Sequence, residues 1–316
     1  MNFYFAPMEG ITGHIYRRTF HNFFPAPDTY FTPFISPDGN KILRNKEKRD
    51  VLPENNAGMQ VIPQIITNRA DYFLMAAEYL KSEYGYSEVN LNLGCPSGTV
   101  VAKGKGSGFL SRLDELERFF DEVFEKCSLD VSVKTRVGRT DAEDWEEILG
   151  VFQKFPIKEL TVHPRIQKDF YKGQIRMETF AFAYENWERP LCYNGDIFTK
   201  ESYEKLVNRF PELESVMLGR GLLSDPYLIG RLREDVLPEE VSRRATICEF
   251  HTQLMEEYGE VLSCDRDLLY KMKELWFYLL DSFEESEKAR KQIRKCEKIS
   301  EYKVIVADLF ENHKLL

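Results

Sequence analysis

The chain has 316 residues, of which 43% are hydrophobic and 13% aromatic, enough to fill a large core and to exclude an intrinsically disordered protein. Its net charge of −9 argues against a surface that is basic throughout and leaves room for a local basic patch on an acidic body. The opening MNFYFAPMEG lacks the basic region of a secretory leader, and no apolar run approaches the ~20 residues that a bilayer crossing needs.

In chain order, the first three quarters alternate short β-rich runs with longer helical patterns. The strand candidates are NFYFA, TYFTPF, VIPQII, EVNLNL, VSVKTR, ELTVH, PLCYN and SVMLG, spaced like βα units. Between them, RADYFLMAAEYLKSEYG reads as a helix. So does SRLDELERFFDEVFEK, where Ser111 and Asp114 resemble a capping box and Leu113, Leu116, Phe120, Val123 and Phe124 share a face. From Ser242 onward only helical periodicity remains; the stripe Leu268, Met272, Leu275, Trp276, Leu279, Leu280, Phe283 is its clearest case. The expectation is an α/β protein: a (β/α)8 TIM barrel over residues 1–237, followed by a small all-α helical bundle over 238–316.

A closed barrel is preferred to a doubly wound sheet because of what stands at the strand ends. Those positions hold Met8, Thr32, Gln64, Asn92 with Cys95, Lys134 with Arg136, His163 with Arg165, Asn194 with Asp196, and Gly219 with Arg220. A barrel gathers such ends at one mouth, where active sites are built. The last two loops, NGDIFTKES and GRGLLSDPY, suit a phosphate: glycines let N–H groups approach, and Arg220 offers a bidentate donor. Gln64 and Asn92 can each donate and accept, Lys134 is a cation, and Pro7 with Met8 offers an apolar shelf. A flat flavin fits this set, with Lys134 opposing the negative charge of its reduced form.

The stretch NLNLGCPSGTVVAKGKGSGFL, residues 90–110, places a thiol between Gly94 and Pro96 where a strand stops. The GKGSG segment fits neither dinucleotide nor phosphate-loop spacing, and is expected to be a flexible arm whose lysines face a polyanion or solvent. Cys127, Cys192, Cys248, Cys264 and Cys296 read as reduced structural thiols. With no CxxC pair and no cluster with histidine, no metal site is expected, and the setting is expected to be cytoplasmic. Nothing in the sequence demands an oligomer, so a monomer is expected.

These motifs together resemble the tRNA-dihydrouridine synthases over almost the whole barrel. APMEGIT at residues 6–12, NLGCP followed by VVAKGKGSGFL, VKTRVG, TVHPR, YNGD and LGRG occur in that family's order and spacing. The chain departs from the family pattern at Gly13, at PQIIT around Gln64, and at Pro164 after His163. The resemblance implies an enzyme that uses FMN, reduced by NADPH, to saturate the C5–C6 bond of a uridine in tRNA. It implies that Pro7, Met8 and Glu9 line the flavin and that Gln64 and Lys134 bond its ring. His163, Asn194, Gly195, Asp196, Gly219 and Arg220 would hold its ribityl chain and phosphate. Asn92, Arg165 and Tyr171 would meet the uracil, and Cys95 would be the acid that protonates C5.

A base inside folded RNA must be turned out of its stack to reach the mouth. Candidates for a basic rim are Lys103, Lys105, Arg112, Lys168 and Lys172, with Lys271, Lys288, Arg290, Lys291, Arg294 and Lys295 in the tail. Two other readings remain at this stage: a flavin barrel reducing a small molecule, such as a dihydroorotate or enoate reductase, and a tRNA-binding flavoprotein with idle chemistry. The first would keep its activity without residues 242–316.

Overall fold

A computed structural model describes residues 1–316. Its strands are β1 Asn2–Phe5, β2 Thr29–Phe31, β3 Val61–Ile62, β4 Gln64–Ile65, β5 Glu88–Leu93, β6 Asp130–Arg136, β7 Leu160–His163, β8 Leu191–Asn194 and β9 Ser215–Leu218. All pair in parallel, in the order β3-β2-β1-β9-β8-β7-β6-β5-β4. The two ends of that order, β3 and β4, are halves of one segment, so the sheet closes into a barrel. The sequence suggests a single strand in VIPQII, whereas Pro63 divides it. Proline has no N–H to give the ladder. Val61 and Ile62 therefore pair with β2, Gln64 and Ile65 pair with β5, and the Pro63 carbonyl accepts from Asn90 N–H at 2.9 Å.

The expected helices form, with local differences. Leu113–Lys126 buries Leu116, Phe119, Phe120 and Val123. Ser111 does not cap it; its hydroxyl donates to Gly108 C=O at 3.2 Å, and Arg112 occupies the cap position. The preceding Gly106–Ser111 is a 3₁₀ helix that buries Gly106, Ser107, Gly108, Phe109 and Leu110. The GKGSG segment is thus packed structure, and the expectation of a flexible arm is corrected: its small residues are what allow that close packing.

Beyond the barrel lie four helices, Glu240–Val261, Asp265–Leu279, Glu287–Lys295 and Ile299–Asn312. Within the Asp265–Leu279 stripe Leu269 is buried, and the neighbouring Leu268 is half-buried. Trp276, Phe283 and Phe310 form an aromatic centre, with ring centroids 5.5–5.9 Å apart. The tail does not hang free. Phe250 packs among Tyr16, Phe20, Phe23 and Phe24 of the first barrel helix and its exit, at centroid distances of 4.8–6.5 Å. One continuous apolar core runs from the barrel helices into the tail.

Candidate active site

At the C-terminal ends of the strands opens a cavity of ≈ 480 Å³, within the usual range for cofactor and small-ligand sites. Its lining includes Pro7, Met8, Glu9, Asn92, Cys95, Lys134, His163, Tyr171, Asn194, Gly195, Asp196, Gly219 and Arg220. Thirteen residues singled out by their sequence positions therefore converge on one space.

The cysteine loop is held from below by amides. Asn92 Oδ1 accepts from Gly94 N–H at 3.0 Å and from Cys95 N–H at 2.9 Å. Asn92 Nδ2 donates to Gln64 Oε1 at 2.7 Å, Gln64 Nε2 to Asn90 Oδ1 at 2.8 Å, and Asn90 Nδ2 to Ser132 Oγ at 3.0 Å. This chain crosses β4, β5 and β6 inside the barrel, where each polar atom would otherwise be costly to bury. From the other side, Ser107 donates its N–H at 3.2 Å and its hydroxyl at 2.7 Å to Cys95 C=O. Gly106 adopts φ +56°, and a Cβ there would lie 2.9 Å from that carbonyl oxygen, so glycine is required for the contact. Burial pushes the Cys95 thiol above its ordinary pKa, against the opposing pull of the Ser97 N–H and the Arg136 charge.

Cations dominate the cavity floor. Lys134 makes no ion pair, and burial together with the nearby Arg136 charge pushes its pKa down to about 8. Arg136 is 1% exposed and donates to Gly94 C=O (2.9 Å), Ile166 C=O (2.9 Å) and Phe170 C=O (2.6 Å). It thereby ties the cysteine loop to the loop after β7. Phe170 adopts φ +48°, a strained backbone for a non-glycine. Gln167 adds a second tie by donating to Pro96 C=O at 3.1 Å.

A third group centres on Asp196. Arg165 grips it with two bonds, at 2.9 and 2.5 Å, and Arg220 adds one at 2.5 Å. Burial raises the Asp196 carboxyl, and the two guanidiniums more than offset this, holding it below the usual carboxylate range. Arg165 Nη1 also lies 3.2 Å from His163 Nε2. Since arginine can only donate, the imidazole accepts at Nε2 and carries its proton on Nδ1. Burial and the charges of Arg136 and Lys134 hold His163 well below its ordinary pKa, so the ring is neutral.

Gln64 and Arg165 do not line the cavity. Gln64 is fully buried in the amide chain, and Arg165 lies behind Asp196 with its third donor on Gly173 C=O at 2.6 Å. Lys103 is exposed beyond the rim; Lys105 is half-buried, 3.4 Å from Ser36 Oγ. Tyr171 lies in the lining with its ring near His163 (6.5 Å) and under Arg220 (5.3 Å), and its carbonyl accepts from Arg220 at 3.2 Å.

Sequence reasoning passed over several lining residues: Arg136 as a tie, Phe34, Phe170 and Phe198, and above all Glu274 and Tyr278 from the tail helix. Arg136 had a visible signal, a second cation two residues after Lys134 on the same face of β6. Glu274 and Tyr278 had none, because strand-end logic does not reach a helix that lies well beyond the last strand, outside the barrel. Lys271 ties that helix to the barrel by donating to Gly10 C=O, and within the helix it also donates to Glu274 at 2.9 Å.

The chain matches the family model of dihydrouridine synthase (Dus) over residues 4–314. It is 27% identical over 270 residues to tRNA-dihydrouridine synthase B of Pasteurella multocida, covering 83% of this chain and 80% of that protein. It is 25% identical over 317 residues to "Probable tRNA-dihydrouridine synthase 1" of Synechocystis sp., covering 98% of this chain and 86% of that one. Among solved structures it is similar in fold to the old yellow enzyme of Trypanosoma cruzi, with a TM-score of 0.52 at 9% identity, over 75% of this chain and 89% of that chain. It is likewise similar in fold to morphinone reductase, at 0.51 and 13%, over 76% and 88%. With a family match running nearly end to end and a thiol, a lysine and two arginines gathered at the barrel mouth, the chain belongs to the dihydrouridine synthase family.

Proposed function

We propose that this protein is a flavin-dependent tRNA-dihydrouridine synthase, reducing the C5–C6 bond of uridines in tRNA with FMN and NADPH. The observation that carries the reading is that Cys95, in the loop after β5, and Lys134, on the neighbouring β6, line one cavity of a chain matching the family throughout.

The donor set fits FMN. Lys134 is an unpaired cation at the cavity floor, suited to the electron-rich edge of a reduced ring. Asn194, Gly195, Gly219 and Arg220 stand at the last two strand ends, where barrels take phosphate. Pro7, Met8 and Glu9 flank the same space, and Gln64 supports it from beneath. FMN, when bound, supplies hydride to C6 of the uracil, and NADPH restores it; uridine, NADPH and a proton become dihydrouridine and NADP⁺. The chain's own task at C5 is to deliver that proton. Cys95 is suited to it because burial keeps the thiol protonated at neutral pH and the Asn92 and Ser107 bonds fix its backbone. Asp196 anchors Arg165 and Arg220, and Tyr171 lies between Arg220 and His163 where a pyrimidine ring would be oriented.

The tail, residues 238–316, is read as the tRNA-holding module. Its Lys288, Lys291, Arg294 and Lys295 are exposed, and Lys103 is exposed on the barrel. No helix is long and apolar enough to cross a membrane; a monomer acting on tRNA in the cytoplasm suits this surface. The test is mass spectrometry of tRNA from cells unable to make dihydrouridine, after incubation with protein, FMN and NADPH. A gain of two hydrogens at uridine supports the reading. NADPH oxidation by a yellow protein with no change in tRNA would favour a small-molecule reductase.

A further inference from the structure

The tail helix Asp265–Leu279 carries a second exposed face that the cavity does not use. Arg266, Tyr270, Lys273 and Phe277 recur at steps of four, three and four residues, so they form one stripe along it. Tyr270 is 56% and Phe277 64% exposed, while the opposite side buries Leu269, Met272, Leu275 and Trp276. Arg266 and Lys273 sit 5.6 and 5.9 Å from the Tyr270 ring centroid.

The next helix braces the stripe. Lys273 donates to Cys296 C=O at 2.8 Å, and Arg290 donates to Phe277 C=O at 2.9 Å. That helix, EKARKQIRK, has five basic residues against one acidic, on a chain whose net charge is −9. At its far end the stripe reaches the cavity: the Phe277 ring stands edge-on to Tyr278 at 5.1 Å, and Tyr278 lines the cavity wall.

Resting on the tRNA reading above, we propose that this stripe is a track for unpaired nucleotides next to the target uridine, with Tyr270 and Phe277 as stacking platforms. Turning one base out of a stack leaves its neighbours with uncovered faces. Aromatic rings accept any base, and interleaved cations accept the phosphates between them. The two platforms lie seven residues apart on one helix, about 10 Å, beside the basic helix, and the Phe277 end meets the cavity. A protein partner would favour a contiguous apolar face, whereas here aromatics alternate with charge.

The test compares Tyr270→Ala, Phe277→Ala and the double variant with Tyr270→Phe and Phe277→Tyr. It measures Kd for an unmodified tRNA transcript over a range of salt concentrations, the yield of dihydrouridine, and the unfolding midpoint as a control. Each alanine should raise Kd by about 5- to 100-fold, as stacking losses do, with an unchanged salt slope. The aromatic replacements should restore binding, while Lys291→Ala should lower the slope by about one. Alanine variants that bind as tightly as wild type, in a protein that still makes dihydrouridine, overturn the track alone. A wild-type protein that makes no dihydrouridine overturns the reading beneath it.

Discussion

Asn92 and Cys95 are joined by a hydrogen bond of 2.9 Å from the Cys95 N–H to the Asn92 side-chain oxygen, which also accepts from Gly94. The asparagine thus orients the loop of the proposed acid, and Gln64, bonded to Asn92 at 2.7 Å, orients the asparagine. Gln64→Ala should free the Asn92 amide and loosen the loop. Misplacement of a reacting group by about 1 Å costs on the order of 10²-fold in rate, so turnover should fall by a comparable factor while alkylation of Cys95 quickens. Unchanged turnover and alkylation would show that the amide chain is only packing.

Burial raises the Cys95 pKa, and an acid catalyst must hold its proton. Turnover should therefore persist through neutral and mildly alkaline pH and decline only as pH rises through the raised value. Iodoacetamide labelling of Cys95 should show the opposite trend, slow at neutral pH and accelerating over the same interval. Fast labelling at pH 7 would contradict a protonated acid.

Lys134 titrates near 8 in the folded protein against 10.5 ordinarily. Between those values the unfolded chain binds a proton that the folded chain lacks, so this residue makes the ligand-free protein more stable as pH rises. Lys134→Met should flatten that part of the pH dependence and be the more stable protein below pH 8. FMN binding to the wild type should flatten it as well, by supplying an electron-rich partner for the ammonium. Urea midpoints at several pH values, with and without FMN, check both outcomes.

Asp196→Ala would leave Arg165, 3% exposed, without its bidentate partner. The expected loss is about 3 kcal/mol, the low end for a broken buried pair, because the Asp196 side chain is one-third exposed. Asp196→Asn should lose less, and denaturant unfolding measures both. A loss within experimental error for the alanine variant would place Arg165 elsewhere.

Removing residues 238–316 should do more than weaken tRNA binding. Phe250 would leave the aromatic cluster of the first barrel helix, and the cavity would lose Glu274 and Tyr278. The truncated chain should aggregate or lose FMN affinity. It therefore does not separate a tRNA enzyme from a small-molecule reductase, as the sequence suggests it could. A soluble truncated barrel that binds FMN with wild-type affinity would contradict this.

The barrel and most of the cavity lining were legible because strand ends in this fold have one destination, so local motifs carry a global position. What the sequence hid followed from long-range contacts. Pro63 interrupts one strand, yet only the pairing of both halves shows that the barrel still closes. Gln64 and Asn92 look like ligand donors, yet their amides meet each other. GKGSG looks loose, yet packs beneath Cys95 because glycine permits contact at a distance that excludes a Cβ. Glu274 and Tyr278 reach the cavity through a packing angle that no periodicity encodes.

The most direct measurement is the single-turnover rate of dihydrouridine formation on unmodified tRNA by FMN-loaded, NADPH-reduced protein, comparing wild type with Cys95→Ala. Loss of a positioned proton donor costs about 10²- to 10⁴-fold, and a fall in that range with tRNA affinity retained is the predicted result. Equal rates in the two proteins would contradict the assignment of Cys95 as the acid at the centre of this site.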